Sequence, residues 1–340
     1  MSAIKYLLPA EGNFYKANLH AHSTESDGCL TPAELKEAYK AHGYSVLSCT
    51  DHEFLVPHHD LTDPEFLMMT GFEMSFSEQR RTYRPETKCC HICFVALDRD
   101  NDVQPCFHRT KYLEPEKLAR VHFDPDEPDF EREYTPECIN AAIRIGREKG
   151  FFVTYNHPVW SLERYPEYSR YKGMHAMEIC NYSSVVSGYD EYNPRVYEDF
   201  LHLGERIFVQ GTDDNHNRQR PDHPKWDSFG AFTMIKAPRL DYESIAAALT
   251  AGHFYASQGP QIRALWMEDD LLHVECSPAV RVYCITGARN FKAGYGENGA
   301  LATRAEFRID PDDVYFRISV QDESGLRADS NAYFTDEIFA

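Results

Sequence analysis

The sequence predicts an α/β fold in which buried, parallel strands alternate with helices, followed by a smaller β-rich part. Three observations carry this expectation. Helix caps recur along the first three quarters of the chain. Each of the first three helix-closing glycines is followed by a short, mostly apolar run. Beyond Gly259 the apolar residues begin to alternate and no capped helix is found.

The first helix opens at Thr31-Pro32-Ala33-Glu34, a capping box with Pro at the first helical position. Leu35, Ala38 and Tyr39 follow, and Gly43 closes it. Thr135-Pro136 opens a second helix, with Ile139, Ala142 and Ile143 on one face and Gly150 at its end. Asn193-Pro194 opens a third, ending near Gly204, and Asp241 a fourth, ending near Gly252. The runs at 44–49, 151–155 and 207–210 read as strands buried on both faces. Residues 176–180 form another, interrupted by Glu178, and 17–19 end the first strand. In the tail, 271–274, 281–285, 305–309 and 314–320 are β-rich and separated by turn residues, which predicts a small antiparallel β-sandwich. The division expected is therefore 1–258 and 259–340.

Composition narrows the function. The 340 residues carry 35 Lys and Arg against 54 Asp and Glu, a net charge of -19. A field of that sign repels polyanions, so extended nucleic acid is not an expected partner. A mean hydropathy of -0.55 and the lack of a long apolar run argue against a membrane span. The apolar stretch in MSAIKYLLPAEGNFYK is too short for a secretory signal. The ten Cys are then expected as reduced thiols in a cytoplasmic protein. The 16 His invite a search for metal ligands.

That search converges on strand ends, where α/β barrels place their functional residues. The first strand is followed by His20-Ala21-His22, two imidazoles at i, i+2 that point the same way on an extended segment. Asp27 lies just before the first helix. The second strand ends in Thr50-Asp51-His52. Glu73 and His91 follow in later segments, and the strand at 151–155 ends in Asn156-His157-Pro158. The strand at 207–210 runs into Asp213-Asp214-Asn215-His216. If that segment stays extended, Asp214 shares the face of His216 and Asp213 points away. A single His at a strand end is commonly structural. Several such ends presenting His and carboxylate together point to a site for more than one metal ion.

In order, spacing and context, these motifs resemble the PHP (polymerase and histidinol phosphatase) family of metal-dependent phosphoesterases. The resemblance spans the first strand to residue 216. It implies a distorted, TIM-like (β/α)7 barrel with a trinuclear centre. It implies that His20, His22, Glu73 and Asp214 hold one ion, and that Glu73 bridges to a second held with His91 and His157. It implies that Asp27, His52 and His216 hold the third. Asp51, Asn156 and Asp213 would orient these ligands. The tail is similar to that of stand-alone members in the branch that includes carbamate hydrolases.

Such a donor set suits manganese, iron or zinc. The implied reaction is hydrolysis of a small phosphate monoester or nucleotide, by in-line attack of a hydroxide bridging two ions, with no protein nucleophile. Amide, carbamate or ester hydrolysis at the same site, or metal-dependent binding without turnover, are the alternatives. Arg80, Arg81 and Arg84, lying between Glu73 and His91, are candidate substrate contacts, as are Arg218 and Arg220 after His216. Trp160 and Tyr182 could stack on a ring of the substrate. Gly294-Tyr-Gly296-Glu-Asn-Gly299 matches a dinucleotide fingerprint by letters but has no helix after it, and reads as a loop in the tail. Cys90 and Cys93 fall on opposite faces of a strand, which argues against a redox pair. His58, His59, His108, His122 and His223 lie outside the motif and read as surface residues.

Overall fold

A computed structural model describes residues 4–78 and 88–340. The first part holds strands β1 (Ile4–Tyr6), β2 (Asn13–Asn18), β3 (Val46–Cys49), β4 (Leu67–Ser77), β5 (Cys89–Ala96), β6 (Phe151–Tyr155), β7 (Ala176–Asn181), β8 (Phe208–Thr212), β9 (Phe232–Ala237) and β10 (Phe254–Ser257). Between them lie helices α1 (Pro32–Ala41), α2 (Pro115–Leu118), α3 (Pro136–Glu148), α4 (Tyr165–Tyr168), α5 (Tyr182–Val186), α6 (Pro194–His202) and α7 (Tyr242–Thr250). The tail adds β11 (Ile262–Glu268), β12 (Leu271–Ala279), β13 (Arg281–Thr286), β14 (Lys292–Gly294), β15 (Ala302–Arg308), β16 (Tyr315–Gln321), β17 (Arg327–Ser330), β18 (Tyr333–Phe334) and a final turn of helix, α8 (Thr335–Ile338).

The local chemistry explains the helix starts. Thr31 Oγ1 accepts a hydrogen bond from Glu34 N while the Glu34 carboxylate accepts one from Thr31 N, and Pro32 sits where no backbone donor is needed. Thr135 and Asp241 cap α3 and α7 in the same sense. Asn193 does not cap α6, because its side-chain amide is turned to Glu191 Oε1 at 2.6 Å. Ile139, Ala142 and Ile143 of α3 are fully buried and share a core with Phe151 and Val153 of β6.

Strands β2, β3 and β4 run parallel, as do β6, β7 and β8. The uniformly parallel sheet expected from the sequence is nevertheless interrupted. β5 is antiparallel to both β4 and β6, because β4 and β5 follow one another across a short connection that leaves no room for a crossover helix. The barrel is also not closed. The strand order runs β14-β13-β16-β17-β10-β9-β2-β3-β4-β5-β6-β7-β8, one continuous sheet in which β2 spends its free edge on antiparallel β9. Only above the end of β2 does the chain meet the extension of β8, through an isolated bridge between Ala21 and Asn215. There His22 N donates to Asn215 O at 3.0 Å and Asp214 N to His20 O at 2.9 Å. Lower down β8 and β9 approach without a ladder among the described residues. Gly211 permits the approach, since a Cβ there would lie 2.8 Å from Phe232 O. Asn331 of the tail bridges the gap towards β10: its Oδ1 accepts from Val209 N and its amide donates to Gly252 O and Phe254 O.

In the tail, β1-β11-β12-β15 form one layer and face β13, β16 and β17 of the continuous sheet. β12 alternates buried and partly exposed residues, and Leu272 and Val274 pack with Leu265, Val282, Ile318 and Val320 in a shared core. The N-terminal strand β1 thus belongs to a layer otherwise built from the tail.

Candidate metal centre

The strand ends deliver their polar residues to one mouth. His20 and His22 follow β2 on an extended segment, and their Nε2 atoms converge to 3.2 Å. Asp27 reaches the same space because the Ser26-Asp27-Gly28 turn folds tightly over His22. A Cβ on Gly28 would lie 2.2 Å from His22 O, so only Gly fits there. His52 follows β3, Glu73 projects from the middle of β4, and His91 comes from β5.

Glu73 is fully buried and central. Its Oε1 lies 3.2 Å from His20 Nε2, 3.2 Å from His91 Nδ1 and 3.3 Å from His157 Nε2. Its Oε2 lies 2.9 Å from His52 Nδ1. Asp214 Oδ1 is 2.9 Å from His22 Nε2 and 3.2 Å from His20 Nε2. Asp27 Oδ1 stands 3.4 Å from His216 Nε2 and 3.7 Å from His52 Nε2. Donor atoms lie within 4.8 Å of one another in four overlapping groups here: His22, Asp27, His52 and His216; His20, His157 and Asp214; His20, His22 and Glu73; and His52, Glu73 and His91.

This donor set fits divalent cations. Six imidazoles and three carboxylates with few other partners suit borderline transition metals. Glu73 Oε2 and His91 Nδ1 are buried and make no hydrogen bond, a costly state that a bound cation would relieve. Burial pushes the Glu73 and Asp214 carboxyls up, yet the surrounding imidazoles outweigh it and hold both well below the carboxylate range. Asp27 is held down likewise, chiefly by its hydrogen bond with His216. His22 is pushed down to about 3 by burial and by the neighbouring His52 and His216. The three carboxylates are thus anionic at neutral pH and available to a cation.

Two ligand positions are reached through left-handed backbone. His157 has φ +24° and Asp214 φ +52°, conformations that non-glycine residues seldom adopt. The extended continuation expected beyond Gln210 stops at Thr212. Asp214 turns toward His20 and His22, while His216 serves the Asp27 group. Asp213 points the other way. Its carboxylate accepts from Tyr39 OH and from the N–H groups of Phe229, Gly230 and Ala231.

The other orienting candidates also have partners. Asp51 accepts from Ser23 N, Ser23 Oγ and Ser26 Oγ, which shapes the turn ahead of Asp27. Asn156 donates to Glu73 Oε1 at 2.7 Å. A cavity of about 430 Å³ opens above the donors, lined also by Trp160, Ser183, Ser187, Arg218, Gln219 and Lys225. Of the substrate-contact candidates, Trp160 and Arg218 line it, and Arg218 is paired with Asp27. Arg220 lies outside the lining and is exposed beside Asp222. Tyr182 is spent on packing: it covers Gly230, where a Cβ would meet its ring at 2.2 Å. Arg80, Arg81 and Arg84 lie outside the described residues. Of the remaining histidines, His108 is buried and paired with Glu131, contrary to its reading as a surface residue. His58 is half-buried beside Cys49 and Asp51.

Several site residues escape sequence reasoning. Glu178 in β7 is fully buried and faces His20, and Glu191 accepts from Val159 N and Trp160 N. Asp227 accepts from His216 N and Asn217 N. A signal for Glu178 did exist: a carboxylate inside a strand buried on both faces needs donors around it.

Fold and site define the class of protein: an α/β chain with a His- and carboxylate-lined cation centre at the strand ends, and a β-layered tail. Neither a family model nor a curated protein sequence matches the chain. Solved structures similar to it include PHP-like metal-dependent phosphoesterases. One, from Bacteroides vulgatus, is a two-domain protein whose PHP-like phosphoesterase part is assigned by prediction; it is 14% identical, with 97% of each chain covered and a TM-score of 0.46. An amidohydrolase from Chromobacterium violaceum, solved with sulfate and no metal, is 16% identical over 59% of this chain and 87% of its own, TM-score 0.33. A metal-dependent phosphoesterase of Bifidobacterium adolescentis, itself a provisional assignment, is 15% identical over 64% and 91%, TM-score 0.33.

Proposed function

We propose that the chain is a metal-dependent hydrolase of small phosphate monoesters or nucleotides, working in the cytoplasm with two or three ions of manganese, iron or zinc. One observation carries the reading. Nine donor residues, from the strand ends and from within β4 and β5, converge in overlapping groups, and two buried donor atoms, Glu73 Oε2 and His91 Nδ1, have no hydrogen-bond partner. On this reading His20, His22, Glu73 and Asp214 hold one ion. Glu73 bridges to a second held with His91 and His157, and Asp27, His52 and His216 hold the third. When bound, divalent ions supply Lewis acidity and an activated water at neutral pH.

The chain's own residues bind and orient the substrate. Arg218, fixed by Asp27, keeps further N–H donors for a phosphate oxygen. Lys225 lines the rim without an ion-pair partner among the described residues and offers a point charge to an anion in an otherwise acidic protein. Trp160 packs edge-on to His157, with ring centroids 4.9 Å apart, and walls the cavity against water on that side. The size of the cavity suits a small ester.

Metal analysis and turnover test the proposal. Protein dialysed against manganese should retain ions and release phosphate from members of a phosphomonoester panel. Turnover of aryl carbamates with no phosphate release would replace it by carbonyl hydrolysis at the same centre. Retained metal with neither activity would leave a binding module.

A further inference from the structure

Glu178 has no place in the donor groups, yet it is fully buried one residue layer beneath them. Four groups converge on its carboxylate. Oε1 faces His20 Nδ1 at 2.6 Å and accepts from Thr212 Oγ1 at 2.6 Å. Oε2 accepts from His157 N at 2.9 Å and Asn181 Nδ2 at 2.9 Å. The Asn181 amide cannot turn round, because its Oδ1 accepts from Ser184 N at the start of α5. Its Nδ2 also donates to Asp214 Oδ2 at 3.1 Å.

A carboxylate can only accept, so it dictates the state of each neighbour. It keeps a proton on His20 Nδ1, so that Nε2, 3.2 Å from Glu73 Oε1 and from Asp214 Oδ1, is the ring nitrogen presented to the donor groups. It fixes the peptide N–H of His157 at a residue in left-handed backbone. Through Asn181 it also restrains Asp214. The other ring nitrogens directed away from the donor groups meet weaker partners: Ser161 Oγ for His157 and the Asp214 carbonyl for His216. Among the described residues, His20 alone of the six donor histidines has its outward ring nitrogen on a carboxylate outside the donor set.

We infer that Glu178 is a positioning residue: it fixes the His20 ring and, through Asn181 and the His157 peptide, the place of Asp214, so that it governs how tightly the ion held by His20 and Asp214 is bound. The inference rests on the proposed metal centre. A carboxylate behind a ligating imidazole both orients the ring and raises its basicity, and loss of such a partner typically costs 10–100-fold in metal affinity. Glutamine has the same shape but places an NH2 group where two donors already point. It satisfies all four neighbours only by turning its NH2 to Thr212 Oγ1 and His20 Nδ1, which takes the proton off that ring nitrogen.

The test compares wild type with Glu178→Gln by two readouts. Protein labelled with 15N-histidine, at a fixed concentration of diamagnetic zinc, gives the His20 ring state from long-range 1H–15N correlations, with the signal identified by its loss in His20→Ala. Titration with manganese followed by metal analysis gives affinity and stoichiometry. In Glu178→Gln, His20 should lose the pure Nδ1–H signature, and one ion should bind about 10–100-fold more weakly while the remaining stoichiometry persists. Raising manganese should restore turnover with KM unchanged. An unchanged tautomer with affinity within twofold of wild type overturns the inference. Should the Gln variant not fold, Glu178→Asp keeps the charge, draws it back by one methylene and should weaken the same ion by less, about 3–10-fold; wild-type affinity there overturns the inference equally. If wild type itself retains no divalent ion, the proposed metal centre falls, and the ion-holding role of Glu178 falls with it.

Discussion

Asp213 and Asp214 are neighbours in sequence with opposite surroundings, and swapping each for Asn separates a structural carboxylate from a ligand. Asp214 takes no backbone N–H; its Oδ1 is directed at His20 and His22. Asp214→Asn removes an anionic donor and should lower turnover by at least about a hundredfold, about 2.7 kcal/mol of barrier at 1.36 kcal/mol per tenfold. Asp213 accepts from three backbone N–H groups and Tyr39 OH. An Asn there must turn its NH2 toward one oxygen's pair of donors. On the Oδ2 side those donors are Phe229 N and Tyr39 OH, and the hydroxyl has Asn215 Oδ1 at 2.7 Å as a second acceptor. One buried N–H is then left unpaired, a cost of about 1–3 kcal/mol in stability. Asp213→Asn should therefore destabilise the fold by that amount and reduce turnover no more than about tenfold, through its hold on the 229–231 segment. Urea melts with a chelator present, and kcat and metal content at saturating manganese, read both effects. A larger activity loss at Asp213, or full metal content in Asp214→Asn, refutes the reasoning.

Three further outcomes are expected. Glu73→Ala should lose metal stoichiometry as well as rate, since the Glu73 carboxylate lies within 4 Å of ring nitrogens of five of the histidines; metal content equal to wild type with turnover within tenfold removes it from the centre. Glu163 is buried, with its carboxyl pushed up to about 7 by burial against the hydroxyls of Tyr155, Tyr171 and Tyr134. A raised folded pKa means stability that is present below about 4.5 and lost as pH rises through about 7. Melts of wild type at pH 4.5 and 8 should differ by roughly 3 kcal/mol more than those of Glu163→Gln, and parallel profiles would show that Glu163 does not titrate in that window. Lys225→Ala should raise KM for a phosphomonoester several-fold with kcat unchanged, and an unchanged KM would take Lys225 out of substrate binding.

Much of this molecule could be read from the sequence, for identifiable reasons. The Thr31, Thr135 and Asp241 caps announce helices because their side chains have one productive use there. The candidate donors stand out because His and carboxylate recur where strands end. What escaped depends on contacts remote in sequence. β4 and β5 carry no caps, and their antiparallel pairing, with β5 also antiparallel to β6, is marked by none of the helix and glycine signals. The open barrel follows from β2 pairing with β9, more than 200 residues along the chain, which no local pattern records. Alternation along an extended strand singled out Asp214, yet the chain turns left-handed at that residue, so the geometry behind the choice differs from the one assumed. Glu178 reads locally as an interruption and Glu191 carries no local signal, because their donors come from other strands and loops.

The Asn331 side chain has a consequence for biosynthesis. It stitches β8 to the Gly252–Phe254 stretch across the open flank of the sheet, and β1 finds its partner only in β11. A nascent chain emerging from the ribosome therefore cannot finish the site-bearing half first and add the tail later, as a string of independent domains would. The first strand waits for residues beyond 260, and the flank beside β8 waits for residue 331. Until then that edge is open to pairing with another nascent chain. The tail thus acts as a clasp on the open flank beside the strand ends.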